Sequence, residues 1–184
     1  MLSREEENLI DVIKERLGIG HIKFAIPLGR VRRLDTDGEG ALLRYRFREG
    51  LINKAQATIF YLQWEQFTEA MLTAEKAAEA ANKVKLNCSG DEREIGNLEA
   101  YLREIKGNCN MRFGEQRNAY FDYLKAAKDY LFDFGDSKKA RELITKARKL
   151  ARKYELWRKD RAAVKLYYDA NDKLSRLKRG EPLR

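Results

Sequence analysis

The stretch from Ser137 to Arg179 contains neither proline nor glycine, and it constrains the fold more than any other part of the chain. Its apolar residues recur at intervals of three and four, a period that predicts an amphipathic helix. A helix of about 43 residues would extend over roughly 64 Å. Arg161 interrupts the apolar series, so we predict a bend or a change of packing partner near residues 155–161. The apolar series consists of Ala140, Leu143, Ala147, Leu150, Tyr154, Trp157, Val164, Tyr168, Leu174 and Leu177.

The positive charge of the protein is concentrated on the same stretch. Residues 137–184 carry a net charge of +11 and residues 1–136 carry −2, which together make the +9 of the whole chain. Lysine and arginine neutralise phosphates, so the polar face of this helix is predicted to bind nucleic acid. The alternative is an ordinary solvated face, because acidic residues at 142, 155, 160, 169 and 172 dilute the charge. The predicted binding residues are Lys138, Lys139, Arg148, Lys149, Arg152, Lys153, Arg158, Lys159, Arg161, Arg176, Lys178 and Arg179.

Aromatic side chains lie along the basic helix and raise the question of base stacking. Tyr154, Trp157 and Tyr168 fall on the apolar series, so we assign them, with the adjacent Tyr167, to the core. Only the Lys/Arg face is then left to bind a partner.

Residues 22–48 lack a clean helical period. Side chains alternate between apolar and other types over 22–26 and again over 43–48, and a cluster of turn formers, Asp35 to Gly40, lies between them. We predict a β-hairpin of 22–34 against 41–48, with the alternative that the next helix begins as early as Ala41. Alternate strand residues share a face, so Arg44, Arg46 and Arg48 form a second predicted contact for nucleic acid or an acidic partner. Arginines that protect an exposed strand edge from aggregation are the competing interpretation.

The rest of the chain has helical periodicity. A capping box of Ser3 and Glu6 opens a helix over 3–17, and residues 51–136 are predicted to supply the core helices, over 51–85, 91–106 and 114–134. The predicted fold is mainly α. It is a single domain, 1–184, in which an antiparallel bundle of four to five helices includes the small β-hairpin insertion over 22–48 and the long basic C-terminal helix over 137–179.

Several classes of chemistry are excluded or disfavoured by the residues present. His21 is the single histidine, which excludes a diiron site built from two Glu-x-x-His motifs. The cluster from Asp35 to Gly40 resembles part of a calcium-binding loop, but Arg44 occupies the position of the bidentate glutamate. Cys88 and Cys109 flank a predicted helix and are expected to be free thiols. No metal, cofactor or catalytic residue is predicted.

One acidic pattern keeps an enzymatic alternative open. All-α nucleotide hydrolases hold Mg²⁺ with carboxylates spaced i, i+4 on a helix. This spacing relates Glu65 to Glu69 and Glu75 to Glu79, although exposed helix charges are the simpler explanation.

The absence of a long apolar run or a leader-like N-terminal segment predicts a cytoplasmic protein without membrane contact. The function favoured by these patterns is non-enzymatic binding of DNA or RNA, or service as a subunit of a nucleoprotein assembly, through the C-terminal Lys/Arg face. One alternative is a scaffold that pairs with another copy or a protein partner through the long helix. The second is a small Mg²⁺-dependent nucleotide hydrolase.

Overall fold

A computed structural model describes residues 1–22, 24–87, 97–131 and 135–154, and the positions 165, 168, 171–172, 175–176 and 179–180. The predicted mainly α class is confirmed, and no strand occurs within these residues. The chain divides into two compact units, Met1–Cys109 (unit 1) and Asn110–Arg184 (unit 2). The described helices are α1 Arg4–Arg16, α2 Leu28–Leu43, α3 Phe47–Gln63, α4 Phe67–Asn87, α5 Glu99–Arg112, α6 Gln116–Asp129 and α7 Ser137–Lys153.

Helix α1 forms as the sequence predicts. The Glu6 amide donates to Ser3 Oγ at 3.3 Å and the Ser3 amide donates to Glu6 Oε2 at 2.8 Å, which completes the capping box. Leu9, Ile10 and Ile13 are buried and hold the helix on unit 1. Burial of this apolar face stabilises a helix that would be marginal on its own.

The predicted β-hairpin over 22–48 is wrong, because residues 28–43 form α2 and residues 44–46 form a turn. The turn formers of the Asp35–Gly40 cluster lie inside the helix. There Asp35 and Glu39, one turn apart, both contact the ammonium group of Lys54 on α3. Contacts of this kind override local propensity, which is a weak predictor by itself. The alternative start at Ala41 is also wrong, since α3 begins at Phe47.

The single helix predicted over 51–85 is two helices, α3 and α4, separated by a turn at residues 64–66. Four turns in the described part of the chain share one geometry, with a left-handed residue at Gly18 (φ 69°), Tyr45 (φ 60°), Glu65 (φ 55°) and Gly114 (φ 75°). The amide that follows each of them reaches back to a carbonyl of the preceding helix at 2.8–2.9 Å. This is the Schellman ending, which usually carries glycine. The described residues contain seven helices where four to five were predicted. Helix α2 was predicted as a hairpin, and the turn at Glu65, which lacks glycine, was not expected.

Small side chains bring α3 and α4 together within unit 1. Four alanines on one face of α4 are fully buried, and α3 packs on both α2 and α4. Thr58 and Thr73 share a buried hydrogen bond of 3.0 Å, and Lys83 near the end of α4 lies over the ring of Phe47 at the start of α3. The two helices therefore run antiparallel. The buried alanines are Ala70, Ala74, Ala77 and Ala81.

Unit 2 is built on α6 and α7, which pack against each other. Tyr120, Leu124, Ala127 and Leu131 recur at helical intervals and are buried, in keeping with the core helix predicted over 114–134. At the start of the unit, the side-chain Nδ2 of Asn110 donates a hydrogen bond of 2.7 Å to Asp122 Oδ2.

Helix α5 ends later than predicted, and the predicted continuation of α7 lies largely outside the described residues. Helix α5 continues through Gly107 to Arg112, so the stop predicted at residue 107 is wrong. Helix α7 ends at Lys153, with Tyr154 as its C-cap. The predicted bend near 155–161 lies outside the described residues, and the described positions 165, 168, 171–172 and 175–176 are helical. No helix of the described part combines the length and apolar character needed to cross a bilayer.

Candidate nucleic-acid interface

Helix α7 has two faces of opposite character. Gly135 adopts a left-handed conformation before it, and the Asp136 carboxylate accepts a hydrogen bond of 2.9 Å from the Lys139 amide. That contact caps the N-terminus of the helix. The face toward the interior of unit 2 is apolar and fully used in packing, so the cations between its positions are left on the outside. The buried residues are Ala140, Leu143, Ile144, Ala147, Leu150 and Ala151.

The outer face of α7 is predominantly cationic. Eight lysines and arginines lie between Ser137 and Lys153, against the single carboxylate of Glu142. Lys138 and Arg141 stand about one turn, or roughly 5.4 Å, apart, as do Arg148 and Arg152. Arg141 and Arg148 are two turns apart, with Glu142 and Thr145 exposed between them. From Lys138 to Arg152 this surface extends over roughly 21 Å. We call it the α7 basic face, and its exposed cations are Lys138, Arg141, Arg148, Lys149, Arg152 and Lys153.

Within the part of the chain that the structure describes, none of the six cations of the α7 basic face forms an ion pair. Lys153 lies over the ring of Tyr154. The other five have no ring contact there either, and they are Lys138, Arg141, Arg148, Lys149 and Arg152.

Several lysines of unit 1 behave differently, because carboxylates of the same unit neutralise them. Lys54 and Lys76 both bind Glu39, at 2.9 and 2.6 Å. Lys85 binds Glu99 at 2.7 Å. A cation that already has a protein partner gains less from a phosphate, so the unpaired charges of α7 are the better anion-binding groups.

Most of the predicted binding residues on α7 are exposed. Lys139 is an exception, and one exposed cation, Arg141, was missing from the prediction. Lys139 is half-buried, and its backbone amide takes part in the helix cap. Arg141 was not predicted, although it lies three residues after Lys138 and seven before Arg148. The i, i+3 and i+4 rule would have found it. Lys146 is diverted inward, with its ammonium group 5.9 Å from the centre of the Tyr123 ring.

The more C-terminal predicted residues are only partly described. Arg158, Lys159, Arg161 and Lys178 lie outside the described residues, whereas Arg176 is half-buried and Arg179 is exposed. The assignment of Tyr168 to the core is wrong, because 62% of it is exposed. Tyr154 is half-buried and Lys153 lies over its ring at 5.2 Å. Trp157 and Tyr167 are not among the described residues.

Arg44, Arg46 and Arg48 do not alternate along a strand, since they lie in the α2–α3 turn and the first turn of α3. All three are exposed, and Arg46 binds Glu49 at 2.8 Å. The same segment carries the exposed side chain of Tyr45.

The hydrolase alternative requires two pairs of glutamates that each share a helix face, and the first pair does not. Glu65 lies in the α3–α4 turn and not on a helix, so the predicted i, i+4 pair with Glu69 is wrong. Glu75 and Glu79 do share α4, where both are exposed and Glu75 binds Lys106 at 2.7 Å. Among the described residues, no group of three or more His, Cys, Asp or Glu side chains is arranged to hold a metal ion.

A row of exposed guanidinium and ammonium groups can bind anions, and it is poorly suited to proton transfer. Arginine stays protonated at any ordinary pH and offers five N–H donors that match phosphate oxygens. Comparisons with protein-family models, with curated proteins and with solved structures found no match to this chain.

Proposed function

We propose that the protein binds nucleic acid, without catalysis, through the α7 basic face. The observation that carries the proposal is the set of five exposed cations on α7 that have neither an ion pair nor a ring contact among the described residues. Neutralising phosphates releases condensed counterions, and this release supplies most of the affinity of sequence-independent binding. A helix also fits the major groove of a duplex, which is about 12 Å wide.

The composition of the α7 basic face favours nucleic acid over a protein partner. Protein interfaces have an apolar or aromatic centre with charges at the rim. The exposed residues of α7 are Lys, Arg, Glu and Thr only, and its apolar side is buried within unit 2. Pairing of two copies through this helix would need the apolar side that the fold has already used. The scaffold alternative is therefore less well supported for residues 137–153.

The salt dependence of binding to a short duplex tests the proposal. If five cations each neutralise one phosphate, the slope of log K against log salt is about −4.5. Exchange of Arg148 and Arg152 for Gln should reduce the slope to about −2.7 and weaken binding to every sequence alike. The measurement is fluorescence anisotropy of a labelled duplex over a series of salt concentrations.

A matched control separates the location of the charge from its amount. The double variant Arg4→Gln/Arg33→Gln removes two exposed cations from unit 1, so its net charge equals that of the α7 variant. Its slope should stay near that of the unchanged protein. Equal losses in the two double variants would mean that only net charge matters. Absence of binding at low salt would contradict the proposal.

A further inference from the structure

We propose that the α2–α3 turn of unit 1 is a second nucleic-acid contact, one that stacks an unpaired base of a single strand on Tyr45. The inference rests on the proposed function for its class of partner, but it concerns a different surface and a different form of nucleic acid. We call this surface the Tyr45 turn, and it comprises Arg44, Tyr45, Arg46 and the adjacent Arg48.

The first observation is the backbone conformation of Tyr45. Its φ of 60° lies in the left-handed region, where a side chain is disfavoured and glycine is preferred. The α5–α6 turn has the same hydrogen bonds and carries glycine there, at Gly114. A tyrosine at such a position is strained, and strained residues cluster at functional sites.

Packing does not account for the tyrosine. Its ring meets the Phe47 ring edge to face, with centroids 6.0 Å apart, yet 81% of Tyr45 is exposed. A side chain that buries so little surface recovers little of the cost of its backbone. The edge contact instead restrains the orientation of a ring that remains accessible to solvent.

Several cations belong to the same turn as this exposed ring. Arg44 and Arg46 flank it in sequence and Arg48 follows, all three exposed, and the Lys83 ammonium group lies 5.0 Å from the centre of the Phe47 ring. Within the described residues Arg44 has no ion-pair partner, while Arg46 binds Glu49. An aromatic platform beside cations is the arrangement by which proteins bind single strands, with bases on the ring and phosphates on the cations.

The shape of the site favours an unpaired base over a duplex or an acidic peptide. Duplex bases stack on one another, so the Tyr45 ring cannot reach their faces, whereas bases of loops and single strands can turn outward. A peptide of Asp and Glu would engage the arginines but has no flat face to stack on Tyr45. Single-stranded DNA or RNA uses both parts of the site.

The experiment separates stacking from charge with three labelled probes of equal length: single-stranded oligothymidylate, an abasic strand with the same phosphates, and a duplex. Tyr45→Gly removes the ring and relieves the left-handed strain, so we expect a higher Tm and affinity for oligothymidylate at least about fivefold lower. Affinity for the abasic strand and the duplex should not change. Tyr45→Phe should keep single-strand binding, because the π face is retained.

Glu65→Gly is the matched control, since Glu65 occupies the same left-handed position in the α3–α4 turn. It should raise the Tm in the same way and leave binding to all three probes unchanged. The inference is overturned if Tyr45→Gly binds oligothymidylate as the unchanged protein does, or loses the abasic strand equally. It is also overturned if Tyr45→Gly instead loses binding to polyglutamate, which would point to an acidic protein partner.

The double variant Arg148→Gln/Arg152→Gln distinguishes failure of the α7 proposal from failure of the Tyr45 proposal. If the α7 basic face binds phosphates, this variant weakens binding to all three probes. If it changes nothing while Tyr45→Gly still loses oligothymidylate, the α7 proposal fails and the Tyr45 turn stands.

Discussion

At the scale of single residues, the buried ammonium group of Lys54 organises unit 1. Lys54 is 3% exposed, and its Nζ lies 2.5 Å from Asp35 Oδ1 and 2.9 Å from Glu39 Oε2. A buried charge is costly unless it is paired, so Lys54 depends on these two carboxylates for its compensation. Glu39 also accepts from Lys76 at 2.6 Å, which links α2, α3 and α4 through one carboxylate.

The first prediction concerns Glu39 and acid. Hydrogen bonds from Lys76 and Lys54 hold the pKa of Glu39 below its usual range. Because the folded pKa is lower than the unfolded one, Glu39 stabilises the fold at neutral pH. That contribution is lost as the pH falls below about 5 and through the folded pKa. Glu39→Gln should therefore lower the Tm at pH 7 and flatten its dependence on pH below about 5, so that the two curves converge in acid.

Thermal unfolding followed by circular dichroism between about pH 7 and pH 3 checks this prediction. Glu79→Gln, an exposed change on α4, should reproduce the curve of the unchanged protein. Parallel curves for Glu39→Gln and the unchanged protein would show that Glu39 does not contribute through its ionisation.

At the scale of helices, α2 contains two glycines with opposite surroundings. A Cβ at Gly38 would lie 3.0 Å from Lys54 Cγ and 3.2 Å from Asn53 Cβ, whereas a Cβ at Gly40 would meet nothing within 4 Å. Gly38 therefore allows the close approach of α2 and α3, and Gly40 contributes no such contact. Lys54 cannot yield easily, because its ammonium group is fixed by two carboxylates.

The second prediction follows from this difference. Gly40→Ala should raise the free energy of unfolding by about 0.5–1 kcal/mol, the usual gain for alanine over glycine inside a helix. In Gly38→Ala the close contact with Lys54 should offset that gain. The free energy of unfolding should therefore be unchanged or lower. Urea unfolding of the two variants measures the difference. An equal gain in both would show that α2 can move away from α3 without cost.

The helices also show what the sequence could and could not predict. Helices α1, α6 and α7 were found because their apolar residues recur at helical intervals, and most exposed cations of α7 were found by the same reasoning. Helix α2 was missed, because its turn-forming residues are held in a helix by Lys54, at a sequence distance that no local pattern covers. The break at Glu65 was missed because a glutamate occupies a position that usually carries glycine.

At the scale of the whole molecule, the charge is divided between the two units. Met1–Cys109 carries a net charge of −1 and Asn110–Arg184 carries +10. In unit 1 the described lysines of the α2–α4 network are neutralised by carboxylates, while α7 keeps its charges exposed. A field of this kind steers a polyanion toward unit 2 before any specific contact forms. The asymmetry was predictable from the sequence, whereas the division of the chain into two compact units required the structure.

The last prediction maps binding across the molecule by the reactivity of its lysines. Duplex DNA should protect Lys138, Lys149 and Lys153 from acetylation, because phosphates would cover their ammonium groups. Lys76 of unit 1 should react at the same rate with and without DNA. The protection should vanish at high salt, where counterion release no longer favours binding. Mass spectrometry of the acetylated peptides reads every site in one sample of the full chain.

The pattern of protection also tests how far the interface extends toward the C-terminus. Lys159 and Lys178 belong to the basic series predicted from the sequence. If they lose reactivity together with Lys138 and Lys149, the cationic surface continues beyond Lys153, and the slope of log K against log salt should exceed the value of about −4.5 expected from α7 alone. Protection of Lys76 equal to that of Lys149 would contradict a localised interface, because an unlocalised polyanion would shield both units alike.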